Sequence, residues 1–263
     1  MIRLFTTWYA EQNSLRASEY VECLQRNLAC PSIDEVCVLA ERSEPPVPAA
    51  VKLRIRLISR RPDYKDYFDW INALASPSDV SAIANADIFF DETVGVFELW
   101  PIPPRTVLAL SRWDVSADGM TRLYDHNDSQ DTWIFRGPIE SVRGDFPTGV
   151  PRCDNRIAKE LELAGYTVLN PSFSLRSFHL HAGSREAYGG QAEAHFVPPP
   201  YGYVWPHNLL PLHRTLLHNA IHSRQRLDWR FDRRLWSRRL RLHWIKKAMD
   251  TGGASSGGTA DKS

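Results

Sequence analysis

Apolar and polar positions along the first half of the chain fall into two alternating rhythms. Ile2–Trp8 is short, apolar and β-prone, and Glu35–Glu41 is a second such run. Over residues 51–59, Leu53, Ile55 and Leu57 alternate against Lys52, Arg54 and Arg56, the period of a half-buried strand. Between these runs the spacing turns helical. Leu15, Tyr20, Val21, Leu24 and Leu28 follow a cap at Asn13 or Ser14 and stop at Pro31, and Tyr64, Tyr67, Phe68, Ile71 and Leu74 follow Asp63. Pro45, Pro46 and Pro48 mark a loop. Strands alternating with helices predict an α/β fold, a parallel sheet with crossover helices.

Residues 81–91 read as one buried central strand that runs out into carboxylates. Ile83, Ala84, Ala86, Ile88, Phe89 and Phe90 supply the apolar run, and Asn85, Asp87 and Asp91 interrupt it near its end. In open α/β sheets ligands bind beyond the carboxyl ends of the strands. A carboxylate at that place can hold a hard divalent cation, which can clamp a diphosphate. Two plainer readings stand beside this one: Asp91, before Glu92-Thr93-Val94, as a helix cap, and Asp87 as a turn residue.

Residues 106–113 form a further strand, and residues 114–128 read as a polar loop. Asp128 and Asp131 then precede an apolar strand ending at Phe135; the acids Asp125, Asp128 and Asp131 also suit a solvated loop. Gly144, Pro147, Gly149 and Pro151 mark another loop. A helix over residues 153–164 carries Ile157, Leu161 and Ala164 on one face, with Gly165 at its C-terminal cap. Residues 166–169 and 177–181 are extended. No GxGxxG follows the first strand and no GxxxxGKS occurs, which argues against the usual dinucleotide enzymes and against P-loop NTPases. A nucleotide here would be held by side chains.

Asn85-Ala86-Asp87 at the end of an early central strand, Asp154 opening a helix that closes on Ala164-Gly165-Tyr166, and His179-Leu180-His181 together resemble the GT-A-fold, family-two-like glycosyltransferases that use nucleotide sugars. The resemblance covers residues 1–190 or so. It implies a GT-A-like, Rossmann-type mixed and mostly parallel sheet flanked by helices. It also implies a sugar transferred from a nucleotide-sugar donor to a glycan or lipid-linked acceptor, with inversion and with Asp154 as general base. Mn²⁺ or Mg²⁺ would sit on Asp87, with Asn85 and with His181 or His179. The donor would contact Thr6, Thr7, Tyr9, Arg16, Asp63 and Asp87, and Asp131 and Trp133 would line the acceptor pocket. The chain departs from the pattern at Asn85, which can ligate through its amide oxygen but brings no charge, and at Asp154, a single acid in place of a pair. Asn85 in place of an acid favours an alternative: a non-catalytic glycan- or lipid-binding module on a degenerate transferase fold. Plainer roles are also available: Asp154 as a helix cap, Arg16 in an ion pair with Glu19, and the histidines as ordinary core or surface residues.

The net charge of +1 gives no overall steering, but the charge is unevenly spread. Residues 214–247 hold 11 Lys/Arg against two Asp, so the remainder is acidic. Residues 196–206 read as a Pro/aromatic linker or an arm over the domain, and residues 209–249 as one or two basic amphipathic helices forming a C-terminal extension. Trp and Leu beside Arg on such a helix suit an anionic membrane surface, docking on the catalytic domain or a second subunit, or nucleic acid; the last is not expected. The expected division is a catalytic domain over 1–195, the linker and extension over 196–250, and a disordered tail over 251–263. Four cysteines without a metal-site spacing suggest free thiols. The absence of a signal-peptide pattern near residue 1 or a long apolar run leads to an expectation of a cytoplasmic protein, with attachment to the inner face of a membrane as the variant.

Overall fold

Alternation along β1 (Ile2–Trp8) sends Leu4 and Trp8 into one hydrophobic core and Phe5 into another. The sheet is therefore buried on both faces. A computed structural model describes residues 1–180 and 196–227. On the Leu4 face lies α1 (Ser14–Ala29), which buries Tyr20 and Leu24. Asn13 starts it, its Oδ1 accepting from the amides of Leu15 at 3.0 Å and Arg16 at 3.3 Å. β2 (Glu35–Glu41) and β3 (Leu53–Ile58) follow. On the Phe5 face lies α2 (Tyr64–Leu74), opened by a capping box in which the Asp63 amide donates to Asp66 Oδ2 at 2.7 Å.

Residues 81–91 are not one strand. β4 (Val80–Ala84) ends at a turn where the Ile88 amide donates to the Asn85 carbonyl at 3.2 Å. β5 (Ile88–Phe90) then belongs to a different sheet. Asn27 of α1 holds the switch: its Nδ2 donates to the Ile88 carbonyl at 2.9 Å, and its Oδ1 accepts from the Phe90 amide at 3.0 Å. The apolar run persists across the turn because Ile88, Phe89 and Phe90 are buried in their new surroundings as well. Asp91 takes the plainer role and caps a 3-10 helix (Glu92–Glu98), accepting from the Thr93 amide at 3.0 Å.

β6 (Thr106–Leu110) returns to the main sheet. The expected polar loop is instead a hairpin of β7 (Trp113–Val115) and β8 (Met120–Leu123). Gly119, at φ +76°, takes the left-handed position of its turn, and the Ser116 amide donates to the Met120 carbonyl at 2.9 Å. β9 (Thr132–Arg136), α3 (Cys153–Leu163) and β10 (Thr167–Leu169) complete the main sheet and its second helical cover. The seven-stranded order is β10-β6-β9-β4-β1-β2-β3, with only β9 antiparallel to its neighbours. This is the mostly parallel sheet flanked by helices expected from the sequence. β11 (Ser177–Leu180) joins β5 and β7 in the smaller sheet.

Residues 196–211 are an extended arm laid on this body. Val197, Leu209 and Leu210 are buried, and Gly202 sits so close to α3 that a Cβ there would meet the Lys159 backbone nitrogen at 3.0 Å. α4 (Leu212–His222) docks through Asn219 Nδ2 to the Phe173 carbonyl at 2.7 Å, and Ser223 beyond it donates to Asp91 Oδ2 at 2.7 Å. β12 (Arg226–Leu227) pairs with β8. All four cysteines are buried and unbridged. No described helix is long and apolar enough to cross a membrane. His181, the stretch beyond residue 227 expected to form basic helices and the 251–263 tail lie outside the described residues.

Candidate functional site

The carboxyl ends of β1 and β4 open into a cleft of about 1030 Å³, joined by a smaller hollow of about 130 Å³. Tyr9, Arg16, Arg61, Asn85 and Trp133 line both. Crossover connections place the ends of parallel strands on one side of a sheet, so residues remote in sequence meet there.

One wall is cationic. Arg16 projects from the first turn of α1 and donates to the Tyr20 hydroxyl at 2.7 Å, and that hydroxyl lies 2.5 Å from the hydroxyl of Tyr9. The Arg61 guanidinium stands 5.3 Å from the Tyr9 ring centre and donates to the Gly149 carbonyl at 3.3 Å. Both arginines line the cleft.

Asp154, in the first turn of α3, lines the same cleft. Arg152, at φ +69°, is the cap residue, so Asp154 is not the cap. Its Oδ1 accepts from the Asn155 amide at 2.9 Å and its Oδ2 from the Gln130 amide at 3.3 Å. Burial disfavours its charge, and nearby Asp131 adds repulsion. Together they outweigh the two amides and push the carboxyl pKa up to about 6.

Beneath the cleft runs a chain of charges. Asn85 Nδ2 donates to Asp131 Oδ1 at 2.8 Å, and Arg112 donates to Asp131 Oδ2 at 3.0 Å and to Asp114 Oδ1 at 2.9 Å. Asp114 Oδ1 lies 3.0 Å from His179 Nδ1, and His179 Nε2 lies 3.4 Å from Asp87 Oδ2. Arg16 closes the row, 3.8 Å from the same Asp87 oxygen. Burial opposes a charge on His179, but Asp114 and Asp87 prevail and push its pKa up to about 10. Burial would raise Asp87, yet His179 first and Arg16 after it hold it below the ordinary carboxylate range. Burial opposes ionisation of Asp114 too, and His179 and Arg112 outweigh it.

Of the donors expected for Mn²⁺ or Mg²⁺, the described ones, Asp87, Asn85 and His179, are engaged in ion pairs and hydrogen bonds with neighbouring side chains, and His181 lies outside the described residues. A protonated His179 has a hydrogen on each ring nitrogen and no lone pair to give. Asp87 already faces two cationic groups, and Asn85 turns its amide nitrogen to Asp131. Among the described residues no group of three His, Cys, Asp or Glu could hold a metal ion. His179 occupies, as a cation, the position expected for a ligand.

The remaining expected site residues divide. Asn85, Asp131, Trp133 and Asp154 line the cleft, with Tyr9 and Arg16; Asp87 and Thr7 line the smaller hollow. Thr6 lies buried within β1 and lines neither space, and Asp63 serves the α2 cap and faces Arg60 at 3.5 Å. His179 lines neither space and meets Asp87, which lines the smaller hollow, and Asp114. Sequence reasoning missed Arg61 and Arg112. A basic residue between the end of β3 and the Asp63 cap was the available signal for Arg61; Arg112 offered none beyond its place before Trp113 and Asp114.

No protein-family model matches the chain, and no curated protein matches it. Among solved structures it is similar to a mannosyltransferase from Pyrobaculum calidifontis in complex with GDP-Man and Mn²⁺, at 15% identity and a TM-score of 0.45, covering 71% of this chain and 58% of that one. The chain thus spans less than two thirds of that protein's length. It is also similar to a 2-C-methyl-D-erythritol 4-phosphate cytidylyltransferase from Francisella tularensis, at 10% identity and a TM-score of 0.37, over 65% and 90% of the two chains. A third is a 4-diphosphocytidyl-2C-methyl-D-erythritol synthase from Anaerococcus prevotii, at 10% and 0.37, over 84% and 95%.

Proposed function

We propose that the cleft transfers a sugar from a nucleotide-sugar donor to an acceptor hydroxyl, with Asp154 as general base. The observation that supports this reading is that a carboxylate of pKa about 6, Asp154, and two guanidinium groups, Arg16 and Arg61, line the same cleft. A base must be ionised at working pH yet still take a proton, and a carboxyl near 6 meets both needs.

In this reading Tyr9 and Thr7 contact the nucleotide, and Arg16 and Arg61 receive the diphosphate. Planar guanidinium groups suit phosphate oxygens because each offers paired N–H donors. The acceptor hydroxyl gives its proton to an Asp154 oxygen as its own oxygen bonds to the anomeric carbon. The bond from that carbon to the diphosphate oxygen breaks, and the electron pair leaves with the nucleoside diphosphate. The two arginines meet the charge that develops there. Attack opposite the leaving group inverts the anomeric centre. Asp131, fixed by Asn85 and Arg112, shapes the site between the walls and keeps Asp154 basic.

The test is product analysis with UDP-, GDP- and dTDP-sugars. Release of nucleoside diphosphate by the wild type, lost in Asp154→Asn with nucleotide binding retained, supports the reading. Release of pyrophosphate from nucleoside triphosphates in its place would assign the cleft to nucleotidyl transfer.

A further inference from the structure

Arg16 and Tyr20 are one helical turn apart on α1, so their side chains share a face. Arg16 donates through Nη2 to the Tyr20 hydroxyl at 2.7 Å, and its guanidinium stands 5.6 Å from the centre of the Tyr20 ring. The same nitrogen lies 3.8 Å from Asp87 Oδ2. Tyr9, just past the end of β1, brings its hydroxyl to 2.5 Å from that of Tyr20. The two rings meet edge to face, with centres 5.3 Å apart. Tyr20 is 2% exposed and lines the smaller hollow, whereas Tyr9 and Arg16 line both the hollow and the cleft.

The chemistry of the three groups sets the direction of these bonds. A guanidinium has donors and no acceptor, so the Tyr20 oxygen accepts from Arg16. The Tyr20 hydrogen must then go elsewhere, because a buried donor left without a partner is costly. Among the described residues, the other hydrogen-bond partner of that hydroxyl is the Tyr9 oxygen. Tyr20 therefore donates to Tyr9, and the Tyr9 hydrogen is left for a group in the spaces that Tyr9 lines. Burial raises the pKa of both phenols, so both keep their hydrogens at neutral pH. Each donation polarises the next hydroxyl, so the charge of Arg16 strengthens the donor at Tyr9.

We propose that Tyr20 is a positioning residue for the diphosphate of the donor. Its one hydroxyl fixes the Arg16 guanidinium and orients the Tyr9 hydroxyl, so that two donors are presented together. A ligand group that accepts several hydrogen bonds and needs to give none suits that pair, which is the chemistry of an ionised phosphate. Tyr20 acts through Arg16 and Tyr9. The proposal rests on the cleft binding a nucleoside diphosphate group, as in the reading above, and adds how the chain holds the donors that meet it.

The test is calorimetry of the full chain with UDP, GDP and dTDP and with the matching nucleosides. The wild type should bind at least one diphosphate. Tyr20→Phe keeps the ring and removes the hydroxyl; it should bind that diphosphate about tenfold more weakly, with nucleoside affinity unchanged. Tyr9→Phe should shift diphosphate affinity in the same direction by a smaller factor. In an Arg16→Ala/Tyr9→Phe background, Tyr20→Phe should add no further loss. Unchanged diphosphate affinity in Tyr20→Phe, an equal loss for nucleoside and diphosphate, or a further loss in the double-variant background overturns the positioning role. Should Tyr20→Phe fail to fold, Tyr9→Phe decides: unchanged diphosphate affinity there overturns the proposal. No diphosphate binding by the wild type overturns the nucleotide reading and the proposal with it. The predicted losses in a protein that transfers no sugar would overturn the transferase reading and leave the role of Tyr20 standing.

Discussion

Asp87 Oδ2 and His179 Nε2 lie 3.4 Å apart, and the same imidazole presents Nδ1 to Asp114 at 3.0 Å. A buried ring held between two carboxylates is a cation at neutral pH, and the site floor is built around it. Removing it strands two carboxylates. His179→Gln should cost about 3–5 kcal/mol near pH 6, read by denaturant unfolding. The sign follows from the pKa values: about 10 folded against 6.5 unmodified. The contribution is complete below about 6.5 and fades as pH rises through about 10, so wild type and variant should converge at alkaline pH. A gap that widened with pH would contradict this.

Asp154 works in the opposite sense. Its folded pKa lies above that of a free carboxyl, so its charge costs stability at neutral pH. Asp154→Asn should raise unfolding stability at pH 7 by on the order of 1–2 kcal/mol while abolishing transfer. At pH 3, where both states bind the proton, the stability difference should vanish.

The rate should follow the same group. Transfer at saturating donor should rise with pH through about 6 and level off above it. Asp131 helps keep that value high by repulsion, so Asp131→Asn should move the rising limb to lower pH. An unmoved limb would separate the two acids.

Arg61 was missed in the sequence but stands 5.3 Å from the ring centre of Tyr9, whose hydroxyl meets the Tyr20 hydroxyl that Arg16 holds. Arg61→Ala should weaken calorimetric binding of a nucleoside diphosphate by about 10- to 100-fold, and Arg61→Lys should recover only part of it. The nucleoside lacking phosphates should bind both forms alike.

The sheet was largely legible in the sequence, because half-buried Leu53 and Ile55 alternate with exposed Arg54 and Arg56, although Leu57 breaks the pattern at 57% exposed, and Asn13, Asp63 and Gly165 punctuate the helices. The break between β4 and β5 was not. Ile88, Phe89 and Phe90 continue the apolar run, and only the distant Asn27 and Ser177–Leu180 reveal that they serve another sheet. The β7–β8 hairpin hid behind its charges, although Asp118-Gly119 signalled its turn. The position of Asp154 at the cleft could be anticipated because it opens a helix with a recognisable end. Arg112 could not, since its value lies in joining Asp131 to Asp114 across the site.

The most direct test is a crystal structure of the chain with a non-hydrolysable nucleotide sugar, surveyed over uridine, guanosine and thymidine donors. The expected result puts the diphosphate within hydrogen-bond reach of Arg16 and Arg61 and the anomeric carbon open toward Asp154. A nucleotide bound elsewhere, or one whose sugar points away from Asp154, would contradict the account.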